Sequence, residues 1–126
     1  MDKPNLLSPS TLAFVGDGVY GLLVRERLAE VNRPAGELHS LSVKLVNANA
    51  QAEGFKIIEP VLSEEELAVF KRGRNFHTTS IPKSSDHTRY HTATGLEALF
   101  GFIYLKGEKD RLYELFNLIW QGVYEA

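Results

Sequence analysis

Two acidic residues stand among apolar neighbours, and their surroundings make them the first candidates for chemistry. Asp17 lies within residues 12–20 and Glu97 within residues 94–101, and both stretches are otherwise mostly apolar or small. Glycines flank both acids; they weaken a helix but allow another backbone or a ligand to approach closely. A buried, ionised carboxyl group is unfavourable unless hydrogen bonds, a cation or a metal ion compensate its charge. Each acid therefore needs a partner.

Two kinds of partner fit this pattern equally well. The acids are either core carboxylates satisfied by backbone amides or by a buried arginine such as Arg25, or they share a metal ion. Mg²⁺ suits the second explanation because it commonly takes one or two carboxylates and keeps several waters. We therefore expect either a structural role or a Mg²⁺ site, with Mn²⁺ as a substitute.

A cationic segment follows in the second half of the chain. Residues 71–91 contain five basic residues and one acidic residue, although the whole chain has a net charge of −2. Cations in the last turn of a helix interact favourably with its carbonyl end, which explains one or two of them. The remaining charge favours an edge that contacts phosphate groups.

Histidines are concentrated in the same segment, which raises the question of zinc. His77, His87 and His91 lie there, and the chain has no cysteine. Their spacing matches no usual structural zinc site. A polar loop is the preferred explanation.

The elements that carry these residues are predicted to be helices, so the fold class is all-α. Apolar residues recur at helical spacing, and no segment alternates strictly. Ser8 and Pro9 are typical of a helix start, Ser63 and Glu66 form a capping box, and Gly107 is typical of a helix end. The predicted helices cover about 9–28, 35–58 as one helix or two, 64–72, 93–107 and 112–123. Thr92 is expected to cap the fourth of these, and residues 75–91 to form a loop.

Composition limits the remaining possibilities. A chain of 126 residues with 44% hydrophobic residues predicts one domain spanning 1–126. The absence of cysteine excludes disulfides and thiolate metal sites. No apolar run approaches the roughly 18 residues of a membrane span, and the N-terminus lacks the pattern of a secretion signal. We expect a cytoplasmic protein with no membrane partner.

Two blocks of this sequence resemble the ribonuclease III family. Residues 12–19 are similar to its signature helix, and residues 93–105 are similar to its second catalytic helix. Residues 71–75 and 90–99 are closer still to the mini-ribonuclease III subfamily, which lacks a double-stranded-RNA-binding domain. The resemblance implies a helical endonuclease domain in a two-fold homodimer, which cleaves double-stranded RNA to leave 5′-phosphate and 3′-hydroxyl ends. It also implies that Asp17 is the catalytic aspartate and Glu97 the metal-binding glutamate.

The chain departs from the larger family at two positions. Ala13 replaces a glutamate four residues before Asp17, and Thr94 replaces an aspartate three residues before Glu97. A site of four carboxylates is thus reduced to two, which favours one Mg²⁺ per site over two. Thr94 either positions a water near that ion through its hydroxyl or is an ordinary helix residue.

The resemblance also supplies a ligand for the cationic segment. Duplex RNA is recognised mainly through shape, phosphates and 2′-hydroxyl groups. The expected RNA-binding residues are Lys71, Arg72, Arg74, Asn75, Lys83, Arg89, Tyr90 and His91. By resemblance, the substrate is precursor 23S ribosomal RNA, with a ribosomal protein as a helper.

Three points stay open at this stage. The rival functions are a non-catalytic double-stranded-RNA-binding protein on the same fold and a helical protein-interaction module. The dimer interface has two candidate sets of aromatic residues, which are alternatively core residues. These sets are Phe14 with Tyr20, and Phe100 with Phe102 and Tyr104.

Overall fold

Six α-helices make up most of the part of the chain that the structure describes. A computed structural model describes residues 3–76 and 87–125 of the chain, and no β-strand occurs within them. The helices are α1 (Pro9–Leu28), α2 (Ala35–Leu45), α3 (Ala48–Ile58), α4 (Glu64–Arg74), α5 (His87–Leu105) and α6 (Lys109–Ile119). Short 3₁₀ turns lie at Pro4–Leu6 and Glu59–Val61, and a π-helical turn lies at Trp120–Tyr124. The all-α prediction is confirmed.

Local capping residues determine two helix starts as predicted. The Ser8 hydroxyl accepts a hydrogen bond from the Thr11 amide at the start of α1. At the start of α4, the Ser63 amide donates to the Glu66 carboxylate at 2.8 Å, and the Glu66 amide donates to the Ser63 hydroxyl at 3.1 Å. Both hydrogen bonds of the capping box are thus present. Residues 35–58 form two helices rather than one, because the chain is extended at Val46 before α3 begins.

The prediction of a loop over residues 75–91 is wrong at its end. α5 begins at His87, so Arg89, Tyr90 and His91 lie on a helix. Thr92 does not cap this helix, because its hydroxyl donates to the carbonyl of Thr88, one turn earlier, at 2.9 Å. Threonine can satisfy its hydroxyl in this way inside a helix, which is why polar composition did not mark the boundary.

The central helix of the fold is α5, which packs against α1, α3 and α4. Tyr20 from α1 and Phe100 and Phe102 from α5 are 2% exposed or less, so they fill the core. They are therefore not available as dimer contacts, whereas Phe14 and Tyr104 lie at the surface. The alternative of core packing is correct for three of the five aromatic residues.

Glycines bring α1 and α5 into direct backbone contact. A side chain at Gly16 would overlap the carbonyl of Glu97, and one at Gly101 would overlap the carbonyl of Leu12. Close approach by a second backbone, one of the expected roles for these glycines, is confirmed at Gly16. Gly18 has no atom of another element within 4 Å of a Cβ position, so this explanation does not apply to it. The contact at Gly16 places Asp17 and Glu97 on adjoining turns of two packed helices.

Candidate active site

The two acids predicted to act together line one open cleft. Its volume is about 370 Å³, and it lies between α1 and α5, beside Phe76, which follows α4. The lining residues are Ser10, Ala13, Phe14, Asp17, Phe76, Tyr90, Thr94 and Glu97. Asp17 and Glu97 come from elements 80 residues apart in sequence, so the tertiary fold creates this pair.

The acids are less enclosed than the sequence suggested. Asp17 is exposed, and Glu97 is partly buried. The reason is that the apolar neighbours of Asp17 point to both the core and the surface: Phe14, for example, is 81% exposed. Arg25 is not their counterion, because it forms no ion pair with either acid in the described structure and lies instead beside Leu38 and His39.

Burial and the charge of its neighbour alter the acidity of Glu97. Burial, the negative charge of Asp17 and a hydrogen bond between the two carboxyl groups together raise the pKa of Glu97 to about 8. Protonation of Glu97 relieves the repulsion between its negative charge and that of Asp17. A divalent cation would remove the same repulsion, and two carboxylates form the hard oxygen donor set that such a cation prefers. The residues present therefore fit a divalent metal.

A buried amide behind the cleft was not identified from the sequence. Gln51 of α3 is 4% exposed, and its side-chain nitrogen donates to the Glu97 carboxylate at 3.5 Å. This hydrogen bond lowers the pKa of Glu97 and so opposes the effect of burial. Its signal in the sequence is only a polar residue between Ala50 and Ala52. No local pattern connects it with Glu97, 46 positions later.

The two positions that depart from the larger family both line the cleft. Ala13 presents a methyl group, and Thr94 presents a hydroxyl beside Glu97. The Thr94 hydroxyl donates to the backbone carbonyl of Tyr90 at 3.1 Å, which leaves its oxygen able to accept. The reduction to two carboxylates is thus a reduction within the cleft itself.

The basic residues at the end of α4 lie outside the cleft lining. Lys71, Arg72 and Arg74 occupy the last turn, and Asn75 is the C-terminal cap. Arg72 donates to the carbonyl of Leu7 at 3.2 Å. The guanidinium of Arg74 donates to the Asn75 side chain at 3.2 Å. These contacts orient the two arginine side chains.

The remaining predicted RNA contacts divide into three groups. Tyr90 lines the cleft, and its ring lies 5.9 Å from that of His91 in an edge-on arrangement. Arg89 points toward α3 instead, where it donates to Asn49 and forms an ion pair with Glu53 at 3.7 Å. Lys83 lies outside the described residues, as does His77.

Two properties of the described helices bear on metals and membranes. Residues 3–76 and 87–125 contain no group of three or more His, Cys, Asp or Glu side chains placed to hold a metal. A metal at this cleft would therefore take two protein carboxylates and complete its coordination with water or substrate. Over the same residues, no helix combines the length and apolar character required to cross a membrane.

Comparison with known proteins defines the class of this helical domain. Residues 10–108 match the Ribonuclease III domain. A crystal structure of a protein from Fusobacterium nucleatum superposes with a TM-score of 0.86 at 28% identity, covering 97% of this chain and 98% of the other. These matches include both cleft-forming helices.

Closer relatives specify the branch of that class. The Mini-ribonuclease 3 of Thermoanaerobacter sp. (strain X514) is 46% identical over 94% of this chain and 84% of its own length. That of Symbiobacterium thermophilum is 42% identical over 90% of this chain and 88% of its own length. The chain therefore belongs to the ribonuclease III family, in its Mini-ribonuclease 3 branch. It is an endoribonuclease of a family that acts on double-stranded RNA and depends on a divalent metal. The comparisons therefore favour an endoribonuclease over the protein-interaction module and the non-catalytic RNA-binding protein.

Proposed function

We propose that Asp17 and Glu97 hold one Mg²⁺ ion, for which Mn²⁺ can substitute, and that this cleft is the catalytic site for cleavage of double-stranded RNA. The observation that carries the proposal is the pair itself: two acidic side chains from different helices line one open cleft, where the charge of Asp17 acts on Glu97. A divalent cation bound there would polarise the scissile phosphate and lower the pKa of water.

The side chains of the cleft have separable roles. Asp17 is exposed and reaches the substrate side, so we assign it the more critical contact. Glu97 is partly buried and anchors the cation from the side of the core. Thr94 accepts a hydrogen bond from a water in the cleft through its hydroxyl oxygen. By family, cleavage leaves 5′-phosphate and 3′-hydroxyl ends.

Substitution of Asp17→Asn tests this assignment. The amide keeps the size of the side chain but removes the charge, so we expect cleavage of perfectly paired RNA to fall by at least about a hundredfold, while helical content stays unchanged. Glu30→Gln, a change at an exposed acid outside the cleft, is the matched control. Near-normal cleavage by Asp17→Asn, measured with Mg²⁺ on a duplex substrate, would refute the site.

The RNA is proposed to cross the basic end of α4 and enter the cleft beside Tyr90. Phosphate groups would contact Lys71, Arg72, Arg74 and Asn75, and we propose Lys83, Arg89 and His91 as further RNA contacts. We propose precursor 23S ribosomal RNA as the natural substrate. A ribosomal protein that presents the duplex would compensate for the small RNA-binding surface of a single domain.

We also propose that the enzyme is a two-fold homodimer, because cutting both strands of a duplex requires two sites. An apolar groove of about 440 Å³ lies on the α1 surface and supports this proposal. Leu22, Tyr104 and Tyr113 line it and are 57%, 43% and 42% exposed. A contiguous apolar surface of this kind is typical of an interface. A second copy would cover it symmetrically.

A further inference from the structure

Three polar or charged residues are buried in the part of the chain that the structure describes, and two of them have structural partners nearby. Ser42 donates to the carbonyl of His39 on its own helix. Glu66 belongs to the capping box of α4 and pairs with Arg111. The third, Gln51, is 4% exposed, and its hydrogen bond runs to the cleft.

The first turn of α3 places Gln51 behind Glu97. Asn47 caps this helix by accepting a hydrogen bond from the Ala50 amide at 2.9 Å. The backbone amide of Gln51 donates to the carbonyl of Asn47 at 3.0 Å, so the main chain of Gln51 is held in place as well. Since α3 packs along α5, the side chain of Gln51 meets the carboxylate of Glu97 from the side of the core.

The chemistry of an amide suits this position. The side-chain nitrogen of Gln51 donates to Oε2 of Glu97 at 3.5 Å. An amide is neutral, so it orients the carboxylate without cancelling its negative charge. A lysine or arginine at the same place would neutralise Glu97 and compete with a cation in the cleft.

We infer that Gln51 is a positioning residue that holds Glu97 in the orientation in which it binds the divalent cation. The inference rests on the proposed metal site at Asp17 and Glu97. It assigns to α3 a part in a site whose other residues come from α1 and α5. In other metalloproteins, the loss of a residue that hydrogen-bonds to a metal ligand weakens metal affinity or activity by about 10- to 100-fold.

Calorimetric titration with Mn²⁺ in the absence of RNA tests the inference directly. Gln51→Met keeps the length of the side chain and removes its donor, so the Kd for Mn²⁺ should rise by about tenfold or more. In cleavage assays, the concentration of Mn²⁺ needed for half-maximal rate should rise in the same ratio. Saturating Mn²⁺ should restore most of kcat, whereas the KM for duplex RNA should stay within about twofold of wild type. The side chain of Gln51→Asn is one methylene too short to reach Glu97, so this variant should also raise the Kd for Mn²⁺.

Ile58→Val on the same helix is the matched control. Ile58 is fully buried, so its truncation loosens the packing of α3 without touching Glu97. Thermal melts should show a comparable loss of Tm in Ile58→Val and in the two Gln51 variants. Mn²⁺ binding should be weakened only in the Gln51 variants. An unchanged Kd in Gln51→Met and Gln51→Asn overturns the inference, as does equal weakening in Ile58→Val. If Asp17→Asn binds Mn²⁺ as tightly as wild type, the metal site itself is misplaced and the proposed function fails instead.

Discussion

At the scale of single residues, the raised pKa of Glu97 makes the stability of the folded protein depend on pH. Glu97 stays protonated in the folded protein to about pH 8, because burial and Asp17 raise its pKa. In the unfolded chain the same carboxyl group ionises near its ordinary value of 4.5. Between these values the folded state binds the additional proton. Raising the pH through this window therefore lowers the free energy of unfolding.

Glu97→Gln should remove this dependence. In the metal-free protein, we expect the wild-type Tm to fall as the pH rises from 5 to 8, while the variant changes less. At pH 8 the variant should be more stable by an amount on the order of 1–3 kcal/mol, because one pKa unit corresponds to about 1.4 kcal/mol. Thermal melts in EDTA measure this, with Glu30→Gln as the control. If the Tm of wild type and of Glu97→Gln changed with pH in the same way, the protonation assigned to Glu97 would be wrong.

At the scale of helices, the proposed active site depends on the contact between α1 and α5. The glycine at position 16 lets the backbone of α1 touch the backbone of α5 at Glu97. Two acids from distant parts of the chain become neighbours through this contact. The same contact explains why a glycine beside Asp17 is tolerated in a helix interior, where it is otherwise unfavourable.

Gly16→Ala should disrupt this contact. The added Cβ overlaps a backbone carbonyl, which cannot rotate away as a side chain can, so the free energy of unfolding should fall by more than about 3 kcal/mol. Gly36→Ala is the matched control, because no atom of another element lies within 4 Å of its Cβ position and alanine favours a helix by about 0.5–1 kcal/mol. Urea denaturation measures the free energy of unfolding of both variants and so distinguishes Gly16→Ala from Gly36→Ala. Equal stability of both variants would show that the helices do not meet at position 16.

Local signals predicted the helices well, and long-range contacts limited the prediction of the site. The start of α1 at Ser8 and the capping box at Ser63 involve residues three positions apart, so the sequence contains the whole interaction. The start of α5 was missed because a threonine hydroxyl bonded within the helix instead of capping it. Gln51 was missed because its partner lies 46 positions away, a distance that no periodicity connects.

At the scale of the whole molecule, the exposed apolar groove on α1 and the open cleft lie on the same helix. Asp17 lines the cleft, while Gly18 and Leu22 line the groove. A second copy seated on the groove would therefore place the two proposed catalytic clefts on either side of one interface. Such an arrangement allows one enzyme to act on both strands of a duplex.

Leu22→Asp should separate the two copies. A carboxylate in an apolar interface loses its hydration without gaining a partner, so the dimer Kd should rise by at least about a hundredfold. Sedimentation at micromolar concentration should then show monomers, and duplex RNA should accumulate single-strand nicks instead of double-strand cuts. Val43→Asp is the matched control: Val43 is 59% exposed, against 57% for Leu22, but it lies on α2 outside the groove. It should leave both the dimer and the cutting pattern intact. If Leu22→Asp sediments as the wild type does, the groove on α1 is not the interface of the proposed dimer.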